Sequence, residues 1–203
     1  IVAGAARAGK STLCQRIAKT LGYQHVSMDA IVDAMIHCFP QIGLDDREQP
    51  DVSGLRKMSS MLAPFLQAMA EGGEYDELDY GMVLDICQVF PCDLAKHLDR
   101  KQFGICYLVT SQVTPEERLK LLDTYDQPKD YSYFLSPEER RAMCVNSVQL
   151  SRVFEEECNR CQIPCFETSQ NREEQFSFLL EHLKKWGDFP PAGESQENSL
   201  PLL

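Results

Sequence analysis

A chain of 203 residues that is 43% hydrophobic and 25% charged has the length and composition of one globular domain with a substantial core. Its net charge of −11 argues against nucleic acid as a partner, because phosphate neutralisation needs a basic face, and against an anionic membrane surface. No apolar run approaches the length of a membrane span, and nine scattered cysteines read as reduced thiols of a cytoplasmic protein, not as a disulfide frame.

The chain opens inside a strand without a methionine, so residues are expected ahead of Ile1 in the full protein. Residues 1–4 end the first strand, and Gly4, Ala5, Ala6, Arg7, Ala8, Gly9, Lys10, Ser11 and Thr12 follow as G-x-x-x-x-G-K-S-T. This is a phosphate-binding loop in the strand-loop-helix context it requires. The glycines let the backbone turn its N–H groups toward a polyphosphate, and the next helix offers the same anion its positive end. Lys10 is placed for the β- and γ-phosphates of ATP and the Ser11 hydroxyl for Mg²⁺.

Leu13, Ile17, Ala18 and Leu21 recur at helical spacing, so 11–21 is read as a helix ended by Gly22. Residues 24–27 read as a second strand, 30–38 as a helix stopped by Pro40, 41–52 as loop and 53–71 as a long amphipathic helix ended by Gly72-Gly73. An acidic loop leads into a third strand at 81–87, and the fourth is 105–110. Thr114-Pro115-Glu116-Glu117 and Ser136-Pro137-Glu138-Glu139 each offer a hydroxyl cap, proline at the first helical position and glutamate at the third, so two helices start there. A fifth strand at 163–167, a helix at 172–186 and a Pro/Gly/Ser-rich tail at 187–203 complete the chain. Alternating strands and helices mean a parallel sheet, with ligands beyond the carboxyl ends of its strands.

Asp85, at the end of the third strand, suits Mg²⁺, directly or through water; it equally suits a cap on the next turn. Asp29, just past the second strand, could take the proton of an acceptor hydroxyl, share the metal, or cap the following helix. Arg118, Arg140 and Arg141 lie on the paired helices, where a closing lid would bring them to the transferring phosphoryl group as catalytic cations. Arg47, Arg56 and Lys57 offer cations to an anionic acceptor, against a plainer reading as solvated surface. Cys158, Cys161 and Cys165 give three zinc ligands without a fourth at suitable spacing, so they read as core thiols.

The segments GAARAGKSTLCQRIAKTLG, VSMD, VLD and ETS together resemble the P-loop small-molecule kinases, the group holding adenylate, cytidylate, shikimate and gluconate kinases. The resemblance covers residues 1–186. It implies an α/β three-layer fold, with a five-stranded parallel sheet in the order 2-3-1-4-5 and helices on both faces. It further implies an acceptor-side lobe near 30–80, a lid near 118–141, and adenine bordered by Thr168, Ser169 and Gln170. The arginine that adenylate kinases carry after the third strand is missing from Ile86-Cys87-Gln88-Val89-Phe90-Pro91. The expectation is therefore an ATP-dependent phosphotransferase acting on a small metabolite, with a non-catalytic or regulatory nucleotide-binding module as the alternative. A GTPase is disfavoured, because Gln127-Pro128-Lys129-Asp130 is wrongly spaced for a guanine motif.

Overall fold

A computed structural model describes residues 1–43, 52–72, 81–128 and 130–185. The tail at 187–203, the acidic loop at 74–79 and Arg47 lie outside the described residues. The sheet contains β1 (Val2–Gly4), β2 (Gln24–Ser27), β3 (Met82–Ile86), β4 (Cys106–Val109) and β5 (Cys165–Glu167). Every pairing is parallel and the order is β2-β3-β1-β4-β5, as the sequence implies. The helices are α1 (Lys10–Leu21), α2 (Met28–Cys38), α3 (Val52–Gly72), α4 (Pro91–His97), α5 (Pro115–Tyr125), α6 (Pro137–Cys161) and α7 (Arg172–Lys185). Among the described residues, no helix is long and apolar enough to cross a membrane.

Strand alternation builds one core on each face of the sheet. Val2, Val83, Cys106 and Leu108 meet Leu13 and Ile17 of α1 and Phe176 and Leu179 of α7. Ala3, Leu84, Ile86, Tyr107 and Val109 meet α2, α3, α4 and α6 on the other face. Phe154 of α6 stands edge-on to Phe90 and Tyr107, with ring centroids 5.1 and 5.2 Å away. Such pairs add about 0.5–1.5 kcal/mol each beyond their buried area.

Both capping boxes form: Thr114 and Glu117 close the start of α5, Ser136 and Glu139 that of α6. Three elements differ from expectation. The second helix begins at Met28, so Ser27 is its cap and Asp29 lies in its first turn. The 41–52 loop is interrupted by a 3₁₀ turn at Pro40–Ile42, and α4 arises where the sequence offers no side-chain cap. The buried Phe90 and Leu94 hold α4 in place, together with a 2.8 Å bond from the Phe90 N–H to Ser59 Oγ.

Candidate active site

The loop between β1 and α1 lies at the carboxyl edge of the central strand. Gly4 has φ 139°, and a Cβ there would fall 2.0 Å from the Leu108 carbonyl oxygen of the neighbouring strand. Gly9 has φ 99° and also caps α1, whose first turn carries no acid and receives no side-chain cap bond. That end of the helix is left for an outside anion. Ser11 and Thr12 are exposed on it, while Lys10 is nearly buried and its Nζ donates to the Ala5 carbonyl at 2.9 Å. The lysine thus folds back over the loop that it would share with a polyphosphate.

Other elements hold the loop's carbonyls. Arg118 Nη2 donates to the Ala6 oxygen at 3.3 Å and Ser147 Oγ to the same atom at 3.2 Å. Thr168 Oγ1 donates to the oxygens of Ala8 and Val109 at 2.9 and 3.1 Å, tying β5 to the loop and to β4. Thr168→Val keeps the shape and removes that hydroxyl, leaving the buried Ala8 oxygen without this donor. It is expected to cost about 1–2 kcal/mol, or roughly 3–6 °C in thermal midpoint, read by a melting curve; an unchanged midpoint would show the bonds to be incidental.

Arg7 sits in the left-handed region at φ 60°, where a residue with a Cβ is strained by about 1–2 kcal/mol. Its guanidinium is anchored on Asp126 at 2.6 Å and Asp130 at 2.8 Å, in the segment between α5 and α6. The two carboxylates hold the Arg7 pKa above its usual value against the opposing effect of burial. The phosphate loop and the α5–α6 segment are therefore joined by an ion pair that no motif announces.

The expected acids diverge. Asp29 Oδ1 accepts from Gln88 Nε2 at 2.8 Å and from Cys87 Sγ at 3.4 Å, just past the end of β3. Loss of water pushes the Cys87 thiol up to about 12; the Asp29 charge adds to this and the Lys10 charge opposes it. Cys87 and Gln88 carry no motif, and their only sequence signal is their position beyond a strand end.

Asp85 is buried and bonded to His25 Nε2 at 3.1 Å, with Cys14 Sγ in the same group of ligand atoms, all within 4.8 Å of one another. It faces α1 one helical turn beyond Ser11, since Cys14 follows Ser11 by three residues. It caps no turn. Burial, reinforced by Asp85, drives the Cys14 thiol well above its usual value, so this thiol stays protonated.

Of the three arginines on the paired helices, only Arg118 has a bond to the phosphate loop among the described contacts. Arg140 joins α6 to α5 through Asp123 at 2.6 Å and Asp126 at 3.7 Å. Arg141 is exposed and lines an outer groove with Leu119, Leu135 and Val145. On the acceptor side, Arg56 is paired with the buried Glu157 at 2.5 Å, and Lys57 donates to the Gly43 carbonyl.

Beside the loop, a cavity of about 70 Å³ lies among Ala8, Arg118, Tyr125, Thr168, Ser169 and Arg172. Ser169 Oγ is buried beside it without a hydrogen-bond partner, Gln170 is exposed, and the Arg172 guanidinium lies 4.9 Å from the centre of the Tyr125 ring.

No protein-family model and no curated protein sequence matches this chain. Among solved structures, shikimate kinase from Acinetobacter baumannii in complex with shikimate matches over 93% of this chain and 93% of its own, with a TM-score of 0.53 at 15% identity. The likeness covers the whole sheet and both helical layers. The chain has the five-stranded parallel fold of the P-loop small-molecule kinases.

Proposed function

We propose that this chain is a phosphotransferase that moves the γ-phosphate of Mg·ATP to a hydroxyl of a small metabolite. The observation that carries the reading is the glycine-turned loop that runs into a helix start left uncapped, with Lys10 folded back over it onto the Ala5 carbonyl. A cradle for a polyphosphate with a cation at its mouth is what phosphoryl transfer requires on the donor side.

In this reading Gly4 to Thr12 hold the polyphosphate with backbone N–H groups, and Lys10 exchanges the Ala5 carbonyl for phosphate oxygens. The exposed Ser11 hydroxyl and the Asp29 carboxylate fit a hard divalent cation, which supplies charge neutralisation at the transferring group. Asp85, committed to His25, bears on that cation only through water. Asp29 orients the acceptor hydroxyl and accepts its proton. Arg118 already touches the loop and serves as the nearest cation of a lid at 118–141. Arg140 and Arg141 follow only if that lid moves. Thr168, Ser169 and Gln170 border the adenine, beside the cavity lined by Arg118 and Arg172. The described acceptor lobe, 30–43 and 52–72, completes the single domain of residues 1–186.

The deciding experiment measures ADP release with nucleosides, sugars, sugar acids and hydroxy acids as acceptors. The neighbour's complex with shikimate puts shikimate itself on that panel. One acceptor class is expected to raise ADP release well above the water background. If none does while Mg·ATP still binds, the non-catalytic nucleotide-binding module becomes the better account.

A further inference from the structure

Four thiols gather where α6 ends. Cys158 and Cys165 share one core cluster, and Cys161, in the last turn of α6, lies beside Cys92 in the first turn of α4. Among the described residues these four do not form a metal-ligating group. The Cys92–Cys161 pair has another feature. Both are free thiols, both are half-buried, and 69 residues separate them, yet their Sγ atoms are 2.7 Å apart. Non-bonded carbon atoms rest at about 3.5–4.0 Å, and sulfur is larger.

We propose that Cys92 and Cys161 form an oxidation site, which a hydroperoxide converts into an intramolecular disulfide joining α4 to α6. The Cys92 thiolate attacks one peroxide oxygen, the O–O bond breaks, and the departing oxygen takes a proton and leaves as water from hydrogen peroxide, or as an alcohol from an organic hydroperoxide. The Cys161 thiolate then attacks the sulfenic sulfur, the S–O bond breaks, and hydroxide leaves and is protonated to water. Two thiols lose two electrons and two protons to one hydroperoxide, and one S–S bond forms.

The surroundings favour this pair over the other cysteines. Arg160 Nη2 donates to Cys92 Sγ at 3.0 Å and stabilises its thiolate. Glu157 opposes this, and its own charge is shared with Arg56 of α3 and Arg160. Burial, with Cys161 and Glu157, raises the Cys92 thiol to about 11 despite Arg160. Thiolate attack is therefore slow at neutral pH and speeds up as pH rises toward 11. Cys14 and Cys106, by contrast, are buried in the core against α1.

The bond would act on a specific joint. The Phe90 N–H at the start of α4 donates to Ser59 Oγ of α3, Ser59 Oγ donates to Asp93, and the Arg56 guanidinium stacks 4.1 Å from the centre of the Phe90 ring. Fixing α4 to α6 thus fixes the seat of α3. The inference does not depend on the proposed phosphotransfer, because the cross-link is read without ATP or acceptor.

The test treats the full chain with hydrogen peroxide, blocks residual thiols, and maps peptides without reductant. A Cys92–Cys161 peptide that has lost two hydrogens is expected to be the main cross-link in the folded chain and only one of many pairings in urea, because only the fold holds these two thiols together. The oxidised chain should melt roughly 5–10 °C higher, since the bond closes a long loop of the unfolded chain, and dithiothreitol should reverse the gain. Cys92→Ser and Cys161→Ser should each lose both effects, while Cys38→Ser, at an exposed thiol, should keep them. Free thiols at 92 and 161 after oxidation, pairing with other cysteines, or the same mixture of cross-links in folded and unfolded chain would each overturn the proposal.

Discussion

Lys10→Ala is expected to remove the thermal stabilisation that Mg·ATP confers and to lower any ADP release by about 10²–10⁴-fold, since two charge-assisted bonds are worth about 1.5–3 kcal/mol each. In the ligand-free chain Lys10 makes a single bond, to the Ala5 carbonyl, and is almost enclosed. Its charge therefore has little to do for the fold and much to do for an anion at the uncapped start of α1. At a nucleotide concentration about 100-fold over Kd, binding stabilises the native state by about 2.7 kcal/mol, a shift of roughly 5–11 °C for a domain of this size. The substitution raises Kd past that concentration, so the shift vanishes while the ligand-free melting temperature stays close to wild type. If the wild-type chain shows no shift with Mg·ATP, nucleotide binding itself is refuted.

How far the sequence reveals this site depends on whether neighbouring residues or distant ones set each feature. The phosphate loop is legible because Gly4, Gly9 and Lys10 act within nine residues, and because strand and helix flank them directly. The starts of α5 and α6 are legible for the same reason: a hydroxyl and a glutamate three residues later satisfy each other's N–H groups. Helix α4 was not, since its cap position is Phe90, which contributes no side-chain bond, and distant residues place it: Phe154 against the Phe90 ring and Ser59 on the Phe90 N–H. The role of Arg7 was hidden because any residue satisfies that position of the motif. Its partners, Asp126 and Asp130, lie 119 and 123 residues further on.

Asp85 shows a subtler limit. A strand-end acid is easy to spot, but its level against α1 is set by register. Asp85 pairs with Val2 in β1 and Ser27 in β2, below the loop, and His25 from β2 reaches the same face to meet it. A shift of two residues keeps a side chain on one face and moves it by one level of the sheet. Cys87, two residues on, is the residue that meets Asp29. Arg140 and Arg141 likewise read as equals in sequence. Adjacent positions on a helix point about a quarter-turn apart, so one reaches α5 and the other faces solvent.

Asp29→Asn separates the role of this carboxylate from that of the nucleotide site. Asparagine retains an oxygen that can accept from Gln88 Nε2, so the first turn of α2 and its contact with the end of β3 should hold. What disappears is a negative charge able to accept a proton from an acceptor hydroxyl. General-base loss typically costs about 10²–10⁴ in turnover; ATP affinity, resting on the loop and Lys10, should change by less than about threefold, under 1 kcal/mol. The split is read by measuring kcat with the best acceptor and ATP affinity by titration on the same preparation. Equal losses in both would reassign Asp29 to the cation that accompanies the nucleotide. Unchanged turnover would leave it only the bonds it makes with Gln88 and Cys87. The asymmetry expected here follows from position: Asp29 is bonded to Gln88 and Cys87 just past the end of β3, whereas Lys10 is bonded to the loop itself.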